Sequence, residues 1–196
     1  MVEKAGIPVD LLGESRGTSL TEAWFEIVHL KQVYRKGWLQ RGIAPELCET
    51  VADHSFGNAI LCLLLLPEHP ELDPYKVLKL ALIHDLGEAY VGDITPQDNV
   101  DPAVKSERES AAIDKILSKL PGGEDLVESW HEYENQQTAE SKFVKQIDRL
   151  EFAMQAGVYG QQGRIDPSEF FDAVAPQLKS EALQRELSAI RALVKK

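Results

Sequence analysis

Cysteine is nearly absent. The chain has two, Cys48 and Cys62, and they match neither a disulfide framework nor a CxxC metal motif. Both are expected to be reduced packing residues of a cytoplasmic protein. Long apolar runs are missing too: the longest, residues 59–66, stops at Pro67, whereas a membrane-spanning helix needs about 20 residues. The first residues, Met1 to Gly6, hold no basic start leading into an apolar stretch, so no secretory signal is expected. Positive charge is in short supply, with 21 Lys and Arg against 32 Asp and Glu, a net charge of −11 and a pI near 4.9. Such a surface repels phosphate backbones, which argues against long nucleic acid bound through a broad basic face. A small phosphorylated ligand needs only a few local cations or a metal, and is not excluded. Alternating β-branched runs, fixed-period repeats and low-complexity segments are also lacking.

What is present reads as helix. The 196 residues are 43% hydrophobic and 27% charged, enough for one globular domain with a real core. Residues 1–17 contain Gly6, Pro8, Gly13 and Gly17 and are read as a loose arm, leaving 18–196 as a single domain. Ser19 and Glu22 have capping-box spacing, and Leu20, Trp24, Ile27 and Val28 follow at helical period. This helix is expected to reach Lys36 and stop at Gly37. A second is expected over 49–66. Asp-Pro pairs at 73–74, 101–102 and 166–167 each combine a capping acid with proline at the first helical position. Pro121-Gly122-Gly123 breaks the chain between helices. Thr138 is placed to cap a long helix with the stripe Phe143, Ile147, Leu150 and Met154, and residues 180–194 carry a last amphipathic stripe. The expected fold class is all-α.

Three of these helices bring polar groups toward apolar faces. His84-Asp85 ends the apolar stretch 77–83, just before Gly87; His54 lies near the start of a very apolar helix; Asp148 follows Ile147 of the long stripe. A single histidine on such a face is most simply a satisfied core residue. An aspartate is harder to dismiss, because burying a carboxylate without a partner costs on the order of several kcal/mol. A metal ion resolves the conflict for all four groups at once. Two imidazole nitrogens and two carboxylate oxygens leave open positions on a six-coordinate ion, which suits Mn, Fe, Co or Ni, with Mg tolerated, better than a closed zinc site. Water in an open position is acidified and becomes a nucleophile. Adjacent side chains diverge on a regular helix, so His84 and Asp85 can share an ion only near a helix end, which Gly87 supplies. Glu88, one turn beyond His84, and Asp93, after Gly92, read either as solvated acids or as functional groups.

The order His54, His84-Asp85, Asp148 resembles the H…HD…D signature of the HD (histidine-aspartate) metal-dependent phosphohydrolase superfamily. Longer stretches resemble its 5′-deoxynucleotidase branch: residues 36–42 (KGWLQRG), 51–56 (VADHSF), 81–89 (ALIHDLGEA), 91–96 (VGDITP), and 132–134 with 139–148 (AESKFVKQID). The likeness covers about residues 20–160 and as a set is highly specific. Asp53 stands where glutamate is more frequent in the family, and Ser141 is read as a surface change.

The resemblance implies an HD-domain helical bundle with its metal site between helices. His54, His84, Asp85 and Asp148 would hold a divalent ion (Mn, Co, Ni, Fe or Mg). Glu88 and Asp93 would orient the attacking water, relay its proton, or with the Ile94 carbonyl hold a second ion. The segment after the first helix would border the nucleotide, with Arg41 and Lys36 toward the phosphate and Trp38 as an apolar wall. Without the resemblance, those charges read as solvated and Trp38 as core. The implied activity is metal-dependent removal of the 5′-phosphate from deoxyribonucleoside monophosphates by a homodimer. Two alternatives remain open at this point: the same site acting on a cyclic nucleotide, a triphosphate or an alarmone, or a non-catalytic metal-stabilised nucleotide-binding module. The scarcity of basic clusters over residues 47–104 weighs against large polyphosphates. His29, His69 and His131 are read as surface residues. Glu132, Glu134, Glu140 and Glu151 are read as a solvated helical face, one of which could reach the edge of the site.

Overall fold

Short polar side chains start most of the helices. In the computed structural model, which describes residues 2–13 and 17–194, Thr18 accepts from the Thr21 amide ahead of α1 (Ser19–Ile27). Thr50 and Asp53 cap each other's backbone at the start of α3 (Val51–Leu65). Asp73 and Asp101 accept from amides in the first turns of α4 (Pro74–Ile83) and α6 (Pro102–Leu117). Thr138 caps α8 (Ala139–Gln161). Each such cap contributes about 1 kcal/mol by satisfying an amide that the helix itself cannot. The remaining helices are α2 (Lys36–Gln40), α5 (Glu88–Val91), α7 (Gly123–Glu134), α9 (Ser168–Val174) and α10 (Glu181–Val194). Among the described residues there is no sheet, only isolated bridges pairing Glu3 with Val33 and Tyr34 with Thr50. The all-α expectation holds. No described helix is long and apolar enough to cross a membrane.

The 23 residues of α8 span about 34 Å and form the spine. Val144, Ile147, Leu150 and Ala153 pack without exposure against Cys62 of α3 and Val77, Leu80 and Ala81 of α4, and Leu183 and Leu187 of α10 close one end. A second cluster, including Val51, Ile113, Ile116 and Trp130, fixes α6 and α7 beside the start of α3. A third gathers Trp38, Ala156, Tyr159 and Phe170 near the other end of α8. The core is therefore split by the polar groups that the helices carry inward between these clusters.

Several local expectations differ from the structure. The first α-helix ends at Ile27 and tightens into a 3-10 turn, Val28–Lys31, instead of continuing to Lys36. The β-branched and aromatic pair Val33 and Tyr34 then runs extended, because its backbone pairs with the segment before α3: the Arg35 amide donates to Glu49 O and the Val51 amide to Val33 O. The supposed loose arm is docked where it is described. Val9 is buried, the Lys4 amide donates to Gln32 O, and Glu3 lies 2.8 Å from the Nε2 of a fully buried His29; residues 1 and 14–16 lie outside the described residues. His29 is thus a core residue, not a surface one. Ser141 is likewise buried, its hydroxyl accepting from the Thr138 amide. Phe56, Ile60, Leu63 and Leu64, at helical spacing on α3, are exposed, as is Leu82 of α4.

Leu150, fully buried at the centre of the spine, supplies a stability test. Leu150→Ala is expected to lower the unfolding free energy by about 2–5 kcal/mol, read as a lower urea midpoint with an unchanged slope. An unchanged midpoint would contradict the assigned core.

Candidate metal centre

His54 sits in the first turn of α3, where the capping box fixes the helix start, and its ring is fully buried. α4 ends at Ile83, and the chain turns tightly, with the Leu86 amide on Ile83 O and the Glu88 amide on Asp85 O. The Trp130 indole also donates to His84 O at 3.0 Å, tying the turn to α7. This departure from regular helix lets neighbouring side chains converge, and His84 Nε2 lies 3.2 Å from Asp85 Oδ2. His54 Nε2 lies 3.6 Å from the same oxygen and 3.2 Å from Asp148 Oδ1 of α8. Ligand atoms of His54, His84 and Asp85 all fall within 4.8 Å of one another, with Asp148 beside His54.

The histidine nitrogens show what the cluster fits. His84 Nδ1 is 2.8 Å from Ala81 O, and a carbonyl can only accept, so Nδ1 carries the proton. His54 Nδ1 donates to Glu151 Oε2 at 2.5 Å. The Nε2 atoms of both rings are buried and lack a hydrogen-bond partner. Two orphaned imidazole nitrogens facing the same pair of carboxylates match the donor set of a divalent cation, with the Nδ1 bonds fixing ring orientation.

Charge is strongly perturbed here. Burial acts to raise Asp148, but Lys145, 3.4 Å away, and the imidazole of His54 outweigh it and hold the carboxyl well below the usual range. Asp85 is also lowered against burial, by His84, His54 and Arg35. Glu88 goes the other way: burial first, then Asp85 and Asp93, push it well above a normal carboxylate, and its Oε2 has no partner. Burial and Arg35 act to lower His54, yet the nearby carboxylates of Asp148 and Glu151 raise it to about 10.

Asp85, Glu88 and Asp148 line a cleft of about 550 Å³, while the buried His54 and His84 do not. Asp93, Ile94, Lys105, Lys145 and Arg149 line it as well, and Trp38, Phe152 and Phe170 supply an apolar wall. Trp38 is almost fully buried, stacked 4.8 Å from Phe152, with its indole donating to Glu49 at 2.6 Å. Trp38 is thus a core residue that also lines the cleft. Arg41 lines the cleft at a half-exposed edge, paired with Glu169 and 5.1 Å over the Phe170 ring. Lys36 turns to Asp98 and does not line the cleft.

Two further residues are central: Arg35, which the sequence reading does not single out, and Glu151, which it places among four acids of a solvated face. Arg35 is 3.2 Å from Asp93 Oδ1 and 4.0 Å from Asp85 Oδ2, a cation aimed at the acids. Its signal was the preceding Val33-Tyr34, which favours an extended crossing over helix. Glu151 is buried against His54, not part of a solvated face. Its signal was its place three residues after Asp148, on the same side of one helix.

Because His54 is held protonated to about 10, a cation must displace its Nε2 proton. Metal affinity is therefore expected to rise about tenfold per pH unit through neutrality, with proton release measurable by calorimetry in buffers of different ionisation enthalpy. The same raised value stabilises the metal-free fold fully below about 6.5, a contribution lost as pH climbs through about 10. Affinity independent of pH would contradict this assignment.

Comparison with known proteins agrees with the resemblance drawn from the sequence. The HD domain family matches residues 27–191. The 5′-deoxynucleotidase HDDC2 of Bos taurus is 37% identical over 169 residues, covering 83% of this chain and 80% of that protein. Among solved structures, the PH0347 protein of Pyrococcus horikoshii superposes with a TM-score of 0.71 at 31% identity, covering 88% of this chain and 96% of the other. A protein of Magnetospirillum magnetotacticum described as a predicted metal-dependent phosphohydrolase superposes at 0.67 with 25% identity, covering 96% of each chain. The chain therefore belongs to the HD domain family, alongside relatives that carry the name 5′-deoxynucleotidase.

Proposed function

We propose that this protein is a metal-dependent phosphomonoesterase that removes the 5′-phosphate from deoxyribonucleoside 5′-monophosphates. The observation that carries the reading is the pair of buried Nε2 atoms of His54 and His84 without a hydrogen-bond partner, facing Asp85 and Asp148, two acids that line a cleft with one polar and one aromatic side. The names of the relatives support the substrate class.

A divalent cation held by His54, His84, Asp85 and Asp148 would supply Lewis-acid polarisation of a phosphoryl oxygen and a nucleophilic water at neutral pH. The rest falls to the chain. Arg35, oriented by Asp93, presents its planar fork to the phosphate, the role that the resemblance gave to Arg41 and Lys36. The water oxygen bonds to phosphorus as the bond from phosphorus to O5′ breaks, with one water proton staying on the product phosphate and the other returning to the Glu88 carboxylate once that group has given up its own. Glu88, kept protonated by burial and by Asp85 and Asp93, gives its proton to the departing O5′, a step worth about 10²–10⁴-fold. With Asp93 committed to Arg35, orienting that guanidinium is favoured over holding a second ion with Glu88 and Ile94. Trp38, Phe152 and Phe170 offer the deoxynucleoside an apolar surface.

One observation favours a second substrate class. Lys105, Lys145 and Arg149 also line the cleft, more positive charge than residues 47–104 alone suggested. Lys105 is drawn to Glu109 and Lys145 to Asp148, which leaves the monophosphate reading ahead of triphosphates, cyclic nucleotides and alarmones. The exposed apolar residues of α3 and α4 would be covered in the homodimer that the resemblance implies, and the free, buried cysteines suit the cytoplasmic placement.

The test is phosphate release from the five common deoxyribonucleoside 5′-monophosphates, their ribose counterparts, and tri- and cyclic nucleotides, with Mn, Co or Mg. Release from the deoxy monophosphates is expected, and none from any of them in any metal would overturn the reading. Asp85→Ala is expected to lose bound metal and activity together. Glu88→Gln is expected to keep the metal and lose about 10²-fold or more in kcat. Sedimentation equilibrium is expected to give twice the chain mass, and a monomer at micromolar concentration would refute the dimer.

A further inference from the structure

The His54 ring is held between two carboxylates of the same helix. Asp148 Oδ1 stands 3.2 Å from Nε2 and Glu151 Oε2 2.5 Å from Nδ1, and a spacing of three residues on α8 brings both to one side. Glu151 is buried, with 7% of its surface exposed. Its other oxygen lies where a side chain on α3 would otherwise be: a Cβ added at Gly57 would come within 2.6 Å of Glu151 Oε1. Gly57 is three residues after His54, on the same side of α3 as the histidine. The small residue thus admits the carboxylate that the histidine needs. His84 has no such dependence, since its Nδ1 is held by the backbone carbonyl of Ala81.

We infer that Glu151 is a positioning residue for the cation. By accepting the Nδ1 proton it locks His54 with Nε2 toward Asp85 and Asp148 and makes that nitrogen a stronger donor. Removing such an outer hydrogen-bond partner typically weakens metal binding about 10–100-fold. The inference rests on the metal-site reading above, not on which nucleotide is cleaved.

The experiment measures manganese(II) binding to the full chain by chelator competition, with no nucleotide present. Glu151→Ala is expected to bind manganese about 10–100-fold more weakly than wild type. Glu151→Gln, which keeps an acceptor oxygen, is expected to recover part of that loss and remains decisive if the alanine variant does not fold. Glu140→Gln, an acid on the same helix remote from His54, controls for charge and is expected to match wild type. In the zinc-loaded protein, the low-field Nδ1 proton of His54 is expected in the NMR spectrum of wild type and absent in Glu151→Ala, a signal that a merely structural role would leave in place. Manganese binding within about twofold of wild type in both Glu151 variants would overturn the inference. A wild type that takes up no manganese would overturn it together with the metal site. A wild type that binds manganese tightly but cleaves no deoxynucleotide would remove only the substrate assignment, and the ordering of the variants would still support Glu151.

Discussion

Imidazole and carboxylate groups taken out of water must find partners within the protein, and this constraint governs the molecule. His54, His84, Asp85, Glu88 and Asp148 converge between α3, the end of α4 and α8, where desolvation alone costs several kcal/mol per ion in round terms. Part of that cost is offset locally. Arg35 faces Asp85 and Asp93, and Lys145 faces Asp148. What stays unmet is a specific set of atoms, the Nε2 of two histidines and one oxygen of Glu88. A cation would answer the first need, and a retained proton would answer the second. The same environment thus drives Asp85 and Asp148 toward charge and Glu88 away from it, the division between ligand and proton donor that the proposed reaction needs.

The scaffold serves this arrangement through its ends. α3 delivers His54 from its first turn, fixed by the reciprocal Thr50–Asp53 cap. α4 delivers His84 and Asp85 from the turn after its last residue, which is why adjacent side chains meet. Only α8 contributes from its interior, and there the three-residue spacing of Asp148 and Glu151 grips a single ring from both sides. Around these, the aromatic cluster of Trp38, Phe152 and Phe170 builds one wall of the cleft from core residues, so that the apolar side of the pocket is as rigid as the fold.

Much of this was legible in the sequence, wherever the signal is local. Capping residues and 3.6-residue stripes placed α3, α4, α6, α8 and α10, and the His54, His84-Asp85 and Asp148 pattern marked the groups that meet. What stayed hidden depends on contacts between distant segments. Arg35 reaches the acids because Val33 and Tyr34 pair with backbone near Thr50, which no helical period reports. His29 is buried by Glu3 and residues of the docked arm, and Ser141 by its role in the α8 cap; neither side chain looks apolar. Glu151 was grouped with Glu132, Glu134 and Glu140 because charge alone cannot distinguish a solvated acid from one paired inside the fold.

The central claim is that one cation belongs among His54, His84, Asp85 and Asp148. Its most direct test is anomalous diffraction from crystals grown with manganese(II), with data collected on both sides of the metal's absorption edge. The account predicts a strong anomalous peak in direct coordination with the Nε2 atoms of both histidines and with oxygens of both aspartates. A fully loaded crystal whose only peak lies elsewhere, or a centre in which His54 and Asp148 turn away from the His84-Asp85 pair, would contradict it.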